Sequence, residues 1–178
     1  MPKNKTTTVT VFGTSKVQPG DAVFEMAEQL GRLLAEHGFT IANGGYGGTM
    51  LAGAKGAAAA GGHIIGVTCT AFKRGRANES VTEEISTHSL TERLAKLIAL
   101  GDAYVVLPGG TGTLLELADV WEHKNKGFAG ADKPIILVGA FWEPLAAMMT
   151  EADPDSVTHI DCVDTAHDAV ELLKTLLY

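Results

Sequence analysis

Three observations predict an α/β protein built as a Rossmann-like, doubly wound parallel sheet with helices on both faces. Short apolar runs alternate with segments of helical period along all 178 residues. Three of those runs stop at glycine-rich turns, after Phe12, Ala42 and Leu107. Glycine and alanine are abundant and aromatics few, which suits tight turns and close helix packing. The length fits one domain over residues 1–178, with residues 1–7 a polar, flexible tail.

The elements follow in order. Val9-Thr10-Val11-Phe12 reads as a buried strand ending at Gly13-Thr14-Ser15. Asp21 is placed to cap a helix in which Val23, Met26, Ala27, Leu30, Leu33 and Leu34 recur at helical spacing, and His37-Gly38 ends it. Residues 39–42 form a second strand, followed by Asn43-Gly44-Gly45-Tyr46-Gly47-Gly48 and a small-residue helix over 49–60. Ile64-Ile65-Gly66-Val67 is a third strand. Residues 68–80 show no clear period, and 81–85 read as a short strand or turn. Ser89 and Glu92 make a capping box for a helix with Leu94, Leu97 and Ile98 on its apolar stripe. A strand over 104–107, a helix over 113–126, a strand over 134–138 and a helix over 142–149 come next. His159-Ile160 is an edge strand, and Asp164 caps a final helix over 166–177. Right-handed crossovers then put all three glycine turns at the carboxyl edge of the sheet, where such folds bind ligands.

Composition narrows the function. The net charge of -7 gives no general attraction for nucleic acid or an anionic membrane, so neither is an expected partner. The only basic cluster, Lys73, Arg74 and Arg76, falls in a loop: a solvated loop, or else a device for substrate capture or interface pairing. Cys69 and Cys162 have no ligand spacing and read as free thiols. With the polar start at Met1, they point to a cytoplasmic protein. The histidines form no metal-binding pair, so no metal site is expected, and no cofactor either.

The sharpest signal is Pro108-Gly109-Gly110-Thr111-Gly112-Thr113. A buried strand, a glycine turn and a helix start coincide there. The free amides and positive dipole end favour a phosphate on Gly109, Gly110, Thr111, Gly112 and Thr113. This is no Walker A loop, because no Gly-Lys-Ser/Thr follows, and no GxGxxG fingerprint. Glu116 lies three residues beyond Thr113, so the two share a helix face and can meet in one cleft. Glu116 alone reads equally as a polar-face residue, and Arg93 as a surface arginine paired with Glu92 or Asp102. The second glycine loop also opens a helix. Gly53 and Gly56 leave that helix slim enough for backbone or ligand to approach.

These residues together resemble the LONELY GUY (LOG) family, cytokinin riboside 5′-monophosphate phosphoribohydrolases often mislabelled as lysine decarboxylases. The run from Pro108 to Glu116 matches the family's PGGxGTxxE signature, and Val11-Phe12-Gly13-Thr14-Ser15 is similar to its first strand and turn. Gly44-Gly45-Tyr46-Gly47-Gly48-Thr49-Met50 resembles its GGGxxGLM loop, and Lys133-Pro134-Ile135 its strand entry. Thr91-Glu92-Arg93-Leu94 stands where the family carries an Arg-Lys pair, with Leu94 in place of the lysine.

The resemblance implies that Arg93 and Glu116 are the catalytic pair. It implies nucleotide contacts from Gly13, Thr14, Ser15, Gly44, Gly45, Gly48 and Thr49 as well as the signature turn. It also implies a sugar contact from a carboxylate upstream of the arginine, for which Glu84 is the candidate. The implied reaction cleaves AMP or an N6-modified AMP to free base and ribose 5-phosphate, in a homodimer with the site near its interface. Molybdenum-cofactor carrier proteins share a similar fold and glycine signature. They supply the alternative expectation of a non-catalytic nucleotide- or cofactor-binding protein.

Overall fold

The computed structural model describes residues 6–128 and 130–178. Seven parallel strands form one sheet: β1 Thr8–Phe12, β2 Thr40–Asn43, β3 Ile64–Cys69, β4 Glu83–Thr87, β5 Ala103–Val106, β6 Ile135–Val138 and β7 Asp161–Val163. Six α-helices connect or follow them: α1 Ala22–Glu36, α2 Thr49–Ala59, α3 Leu90–Leu100, α4 Thr111–Asn125, α5 Glu143–Ala152 and α6 Ala166–Leu177. The spatial order is β4-β3-β2-β1-β5-β6-β7. The chain winds outward from β1 to β4, then returns to lay β5 against the other side of β1, in the register Val9↔Ala103 to Phe12↔Val106. That reversal between β1 and β5 is the switch point at which a doubly wound sheet opens a crevice.

The core has two layers because the sheet has two faces. Phe24, Ala27 and Leu30 of α1, Ala52 and Ala57 of α2, and Ala169 and Leu173 of α6 cover one face. Leu97 of α3, Leu117, Val120 and Trp121 of α4, and Trp142 cover the other. Gly31 and Gly56 let α1 and α2 touch. A Cβ on Gly31 would stand 2.0 Å from the Gly53 carbonyl oxygen, and one on Gly56 would stand 1.9 Å from the Glu28 carbonyl oxygen. The slim helix therefore serves backbone-to-backbone packing against α1, and neither Gly53 nor Gly56 lines a cleft.

Several boundaries move from their sequence positions. Residues 1–5 of the expected tail lie outside the described residues, but the Thr7 carbonyl accepts a bond from the Thr40 amide and so is already tied to β2. The short strand expected at 81–85 is a true parallel strand, β4, shifted to Glu83–Thr87. The last strand is Asp161–Val163, whereas His159 closes a short 3-10 turn and Ile160 follows it. Thr165, not Asp164, caps α6, because its hydroxyl accepts the Asp168 amide. Asp21 occupies the N-cap position of α1 without capping it; its carboxylate takes the Gln18 amide instead. The Ser89 hydroxyl accepts the Glu92 amide as expected, and Glu92 reaches back to the His88 amide. Helix α4 begins at Thr111, two residues earlier than the apolar pattern indicated.

Candidate active site

A cleft of about 570 Å³ opens at the switch point. Its walls come from the turn after β1, the turn after β2, the start of α3 and the start of α4. Among the expected residues, Gly13, Thr14, Ser15, Gly44, Arg93, Gly110, Thr111, Gly112, Thr113 and Glu116 line it. The cleft thus gathers residues from positions 13 to 116, and only the parallel topology brings them together.

Arg93 reaches the cleft from the first turn of α3, a helix fixed by its Ser89 cap. Its side chain is buried rather than on the surface, and pairs with neither Glu92 nor Asp102. The Nε–H donates to the Val67 carbonyl at 2.8 Å, which anchors the guanidinium to β3. The guanidinium carbon lies 5.8 Å from the Tyr46 ring centre and 5.4 Å from that of Phe72. Both rings stabilise the cation and restrict its swing. Gly44 passes directly beneath: a Cβ there would sit 1.8 Å from Arg93 Nη2.

Glu116 projects from the second turn of α4, and its Oε1 stands 3.6 Å from Arg93 Nη1. Burial pushes the Glu116 carboxyl up to about 7, and the neighbouring guanidinium opposes that rise without cancelling it. Burial likewise lowers the Arg93 value, with Glu116 as the main opposing influence. A guanidinium ordinarily titrates so far above neutrality that Arg93 stays charged. The carboxyl is therefore poised to gain or lose a proton near neutral pH, beside a fixed cation. Few surface carboxylates are so placed, and the combination suits acid–base or charge-stabilising chemistry.

At the start of α4 the N-cap position is Gly110, which has no side chain to cap the first amides. The amides of a first helical turn have no intrahelical acceptor and point out of the helix end. Gly110 and Gly112 are exposed, and a Cβ on either would meet nothing within 4 Å. The seat is thus open and donor-rich, with the Ser15 turn opposite.

Five expected site residues stand outside the cleft lining. A Cβ on Gly109 would fall 2.1 Å from Thr113 Oγ1, so Gly109 seats the Thr113 side chain. The Thr49 amide and hydroxyl both donate to the Thr14 carbonyl, at 2.9 and 3.0 Å, and Gly48 packs against the same turn. These two residues brace the first turn from below. Gly45 packs on Gly66, and its amide donates to Asn43 Oδ1. Glu84 is exposed on β4, where Oε1 accepts from the Thr68 hydroxyl at 2.8 Å and the Ala77 amide at 3.1 Å. It fastens the basic loop and is not among the residues that line the cleft.

Tyr46, Phe72 and Arg74 also line the cleft. Tyr46 lies inside the second glycine loop, and its ring gave no separate signal. Arg74 belongs to the basic cluster, and its place in the cleft wall fits the substrate-capture reading of that cluster rather than the solvated-loop one. Phe72 carried no periodic signal.

A family model described as "possible lysine decarboxylase" matches residues 50–176. Cytokinin riboside 5′-monophosphate phosphoribohydrolase of Mycobacterium tuberculosis is 33% identical over 159 residues, covering 83% of each chain. The chain belongs to this LOG-type family. A protein of the same name from Rhodococcoides fascians is 31% identical over 81% of this chain and 74% of its own. Among solved structures, the molybdenum cofactor carrier protein of Chlamydomonas reinhardtii aligns with a TM-score of 0.80 at 25% identity, over 97% of this chain and 99% of its own. The molybdenum cofactor binding protein of Rippkaea orientalis also aligns at 0.80, with 23% identity over 99% and 100% of the two chains, and so speaks to the fold alone. For a LOG-type chain, PGGxGTxxE has a plain physical meaning here: an open helix start with free space at Gly110 and Gly112, and one helical turn later a largely buried carboxyl against Arg93. Among the described residues no helix is long and apolar enough to cross a membrane, and no cluster of metal-ligating side chains occurs.

Proposed function

We propose that the protein hydrolyses the N-glycosidic bond of a purine nucleoside 5′-monophosphate, AMP or an N6-modified, cytokinin-type AMP, to free base and ribose 5-phosphate. The observation that carries this reading is the largely buried Arg93–Glu116 pair, 3.6 Å apart, in the same cleft as the first-turn amides of α4. The 5′-phosphate would sit on the amides from Gly110 to Thr113, with Ser15 opposite. Binding energy from that remote group can be spent on holding the ribose at Glu116.

Bond breaking leaves positive charge on the ribose ring in an oxocarbenium-like transition state. Glu116, as the carboxylate, would stabilise that charge and orient the water that delivers hydroxyl to C1′. The purine leaves with the bonding pair and acquires a proton. Arg93 cannot serve as a base. It would hold Glu116 in its charged form and in place, itself pinned by Val67, Tyr46 and Phe72. Leu90 and Leu115 are exposed residues of the cleft wall, the arrangement expected where a second copy covers the site in a homodimer. The proposed setting is the cytoplasm, in keeping with the free thiols Cys69 and Cys162.

The test is incubation with AMP and isopentenyladenosine monophosphate, followed by assay of free base and ribose 5-phosphate. Release by the wild type, lost in Arg93→Ala and in Glu116→Gln, is the expected result. Release that survives both substitutions overturns the assignment. The solved carrier structures favour a second reading, in which the cleft only holds a phosphate-bearing ligand. A pterin phosphate that copurifies, with no base released from any nucleoside monophosphate, would decide for it.

A further inference from the structure

The reaction leaves the basic loop unused, and the structure gives that loop a definite place. Beside the main cleft lies a second cavity of about 460 Å³. The two share Ser15, Tyr46 and Arg74 as walls, so they adjoin. The second adds Arg76, Gly47 and Asn78, and no carboxylate lines it. In a chain of net charge -7, two arginines around a carboxylate-free hollow depart sharply from the average surface. Neither Arg74 nor Arg76 has an ion-pair partner among the described residues.

The loop is fastened at several points. The Asn78 side-chain amide donates to the carbonyls of Gly45 and Tyr46, at 3.2 and 2.9 Å. The Asn78 backbone amide also donates to the Gly45 carbonyl, and the Ala77 amide to Glu84. At the other end, Phe72 packs on Tyr46, and the Arg74 guanidinium lies 5.7 Å from the Tyr46 ring centre. Tyr46 itself cannot swing, because its hydroxyl donates to the Cys69 carbonyl and accepts the Cys69 amide. Arg74 and Arg76 are exposed on this fastened loop, and a pair of guanidinium groups free of carboxylate partners suits the bidentate recognition of phosphoryl oxygens.

We propose that this second cavity is a phosphoryl subsite, in which Arg74 and Arg76 bind a second phosphoryl group beside the one seated at the start of α4. The group is either linked to the first, as in a nucleoside 5′-diphosphate, or a free phosphate ion. This inference rests on the proposed seat for the first phosphate but does not require hydrolysis.

Calorimetric titration of the full chain with inorganic phosphate and with pyrophosphate tests it. For a linked group, pyrophosphate binds about tenfold or more tightly than phosphate, the scale of one charge-assisted contact pair. The double variant Arg74→Ala/Arg76→Ala erases that advantage. Lys73→Ala removes one of the loop's charges without touching either cavity, and leaves the advantage in place. For a free ion, phosphate binds at two sites per chain, and at one in the double variant. Equal affinities with a single phosphate site overturn the proposal. So does an advantage that survives the double variant, or one that Lys73→Ala removes as well. Base release from AMP is followed on the same preparations: its absence refutes the hydrolase and leaves the subsite result standing.

Discussion

The glycine turns after β2 and after β5 look alike in sequence but do opposite things. In the first, the folded protein itself fills the space a side chain would need. Gly44 lies under the Arg93 guanidinium, Gly45 against Gly66, and Gly48, at φ +64°, against the Thr14 carbonyl. In the second, Gly110 and Gly112 have ordinary backbone angles and empty space around them. No neighbour forbids a methyl group there. Gly44, Gly45 and Gly48, and in the second turn Gly109 against Thr113, are required by the fold, whereas Gly110 and Gly112 leave the start of α4 bare, as the proposed phosphate seat needs. A glycine motif therefore locates a ligand seat only once the protein's own claims on each glycine are subtracted.

This contrast can be broken or sharpened by substitution. The reference point is Glu116→Gln, which removes the carboxylate while keeping its shape. Steady-state kinetics on AMP should show kcat down by about 10²–10⁴, with KM within a few fold. A loss confined to KM would place the carboxyl outside the chemistry. Gly44→Ala should come next. The new methyl must displace Arg93, and a misplaced catalytic group costs on the order of 10² in kcat. Its Tm should fall as well, since forcing a methyl group into a packed site costs about 1–3 kcal/mol. Wild-type activity in Gly44→Ala would show that the guanidinium position is unimportant.

Gly112→Ala should do the reverse. Helical backbone at this position suits alanine, so stability holds or rises by about 0.4–1 kcal/mol. KM for the nucleotide rises on the order of tenfold as the methyl crowds the phosphate. A drop in Tm with unchanged KM would erase the distinction between the two turns.

The smallest effect is the pH dependence. With the Glu116 carboxyl raised to about 7, log kcat/KM should climb as pH rises from about 6 and level off above about 8, and Glu116→Gln should flatten that limb. Stability runs the other way. Between the ordinary carboxyl value and about 7 the folded protein holds a proton that the unfolded chain has released. Glu116 therefore costs stability progressively as pH rises through that window.

The fold was largely legible because buried parallel strands and amphipathic helices leave strong periodic marks, and tight glycine turns punctuate them. β4 was harder to see: Glu83, Glu84, Ser86 and Thr87 give an edge strand with one weakly apolar face and no clear period. Arg93 and Glu116 were visible as a pair only through the family pattern. Nothing local to either residue reports burial, which depends on α3 and α4 meeting across the switch point. That Glu84 stands outside the cleft lining was hidden for a related reason: the loop length between β3 and α3 does not reveal where a carboxylate on β4 ends up. Tyr46 and Arg74 escaped because their roles arise from stacking across a turn, which leaves no spacing rule in the chain.

The bond from Arg93 to the Val67 carbonyl has a mechanical consequence. It makes β3 the mount for one member of the Arg93–Glu116 pair, whereas the other rides on the helix that follows β5. The two strands belong to opposite wings of the sheet, hinged along β1. Any slip of one wing against the other is felt first as a stretched gap between guanidinium and carboxylate. The proposed chemistry would in that sense be a strain gauge laid across the seam of the sheet.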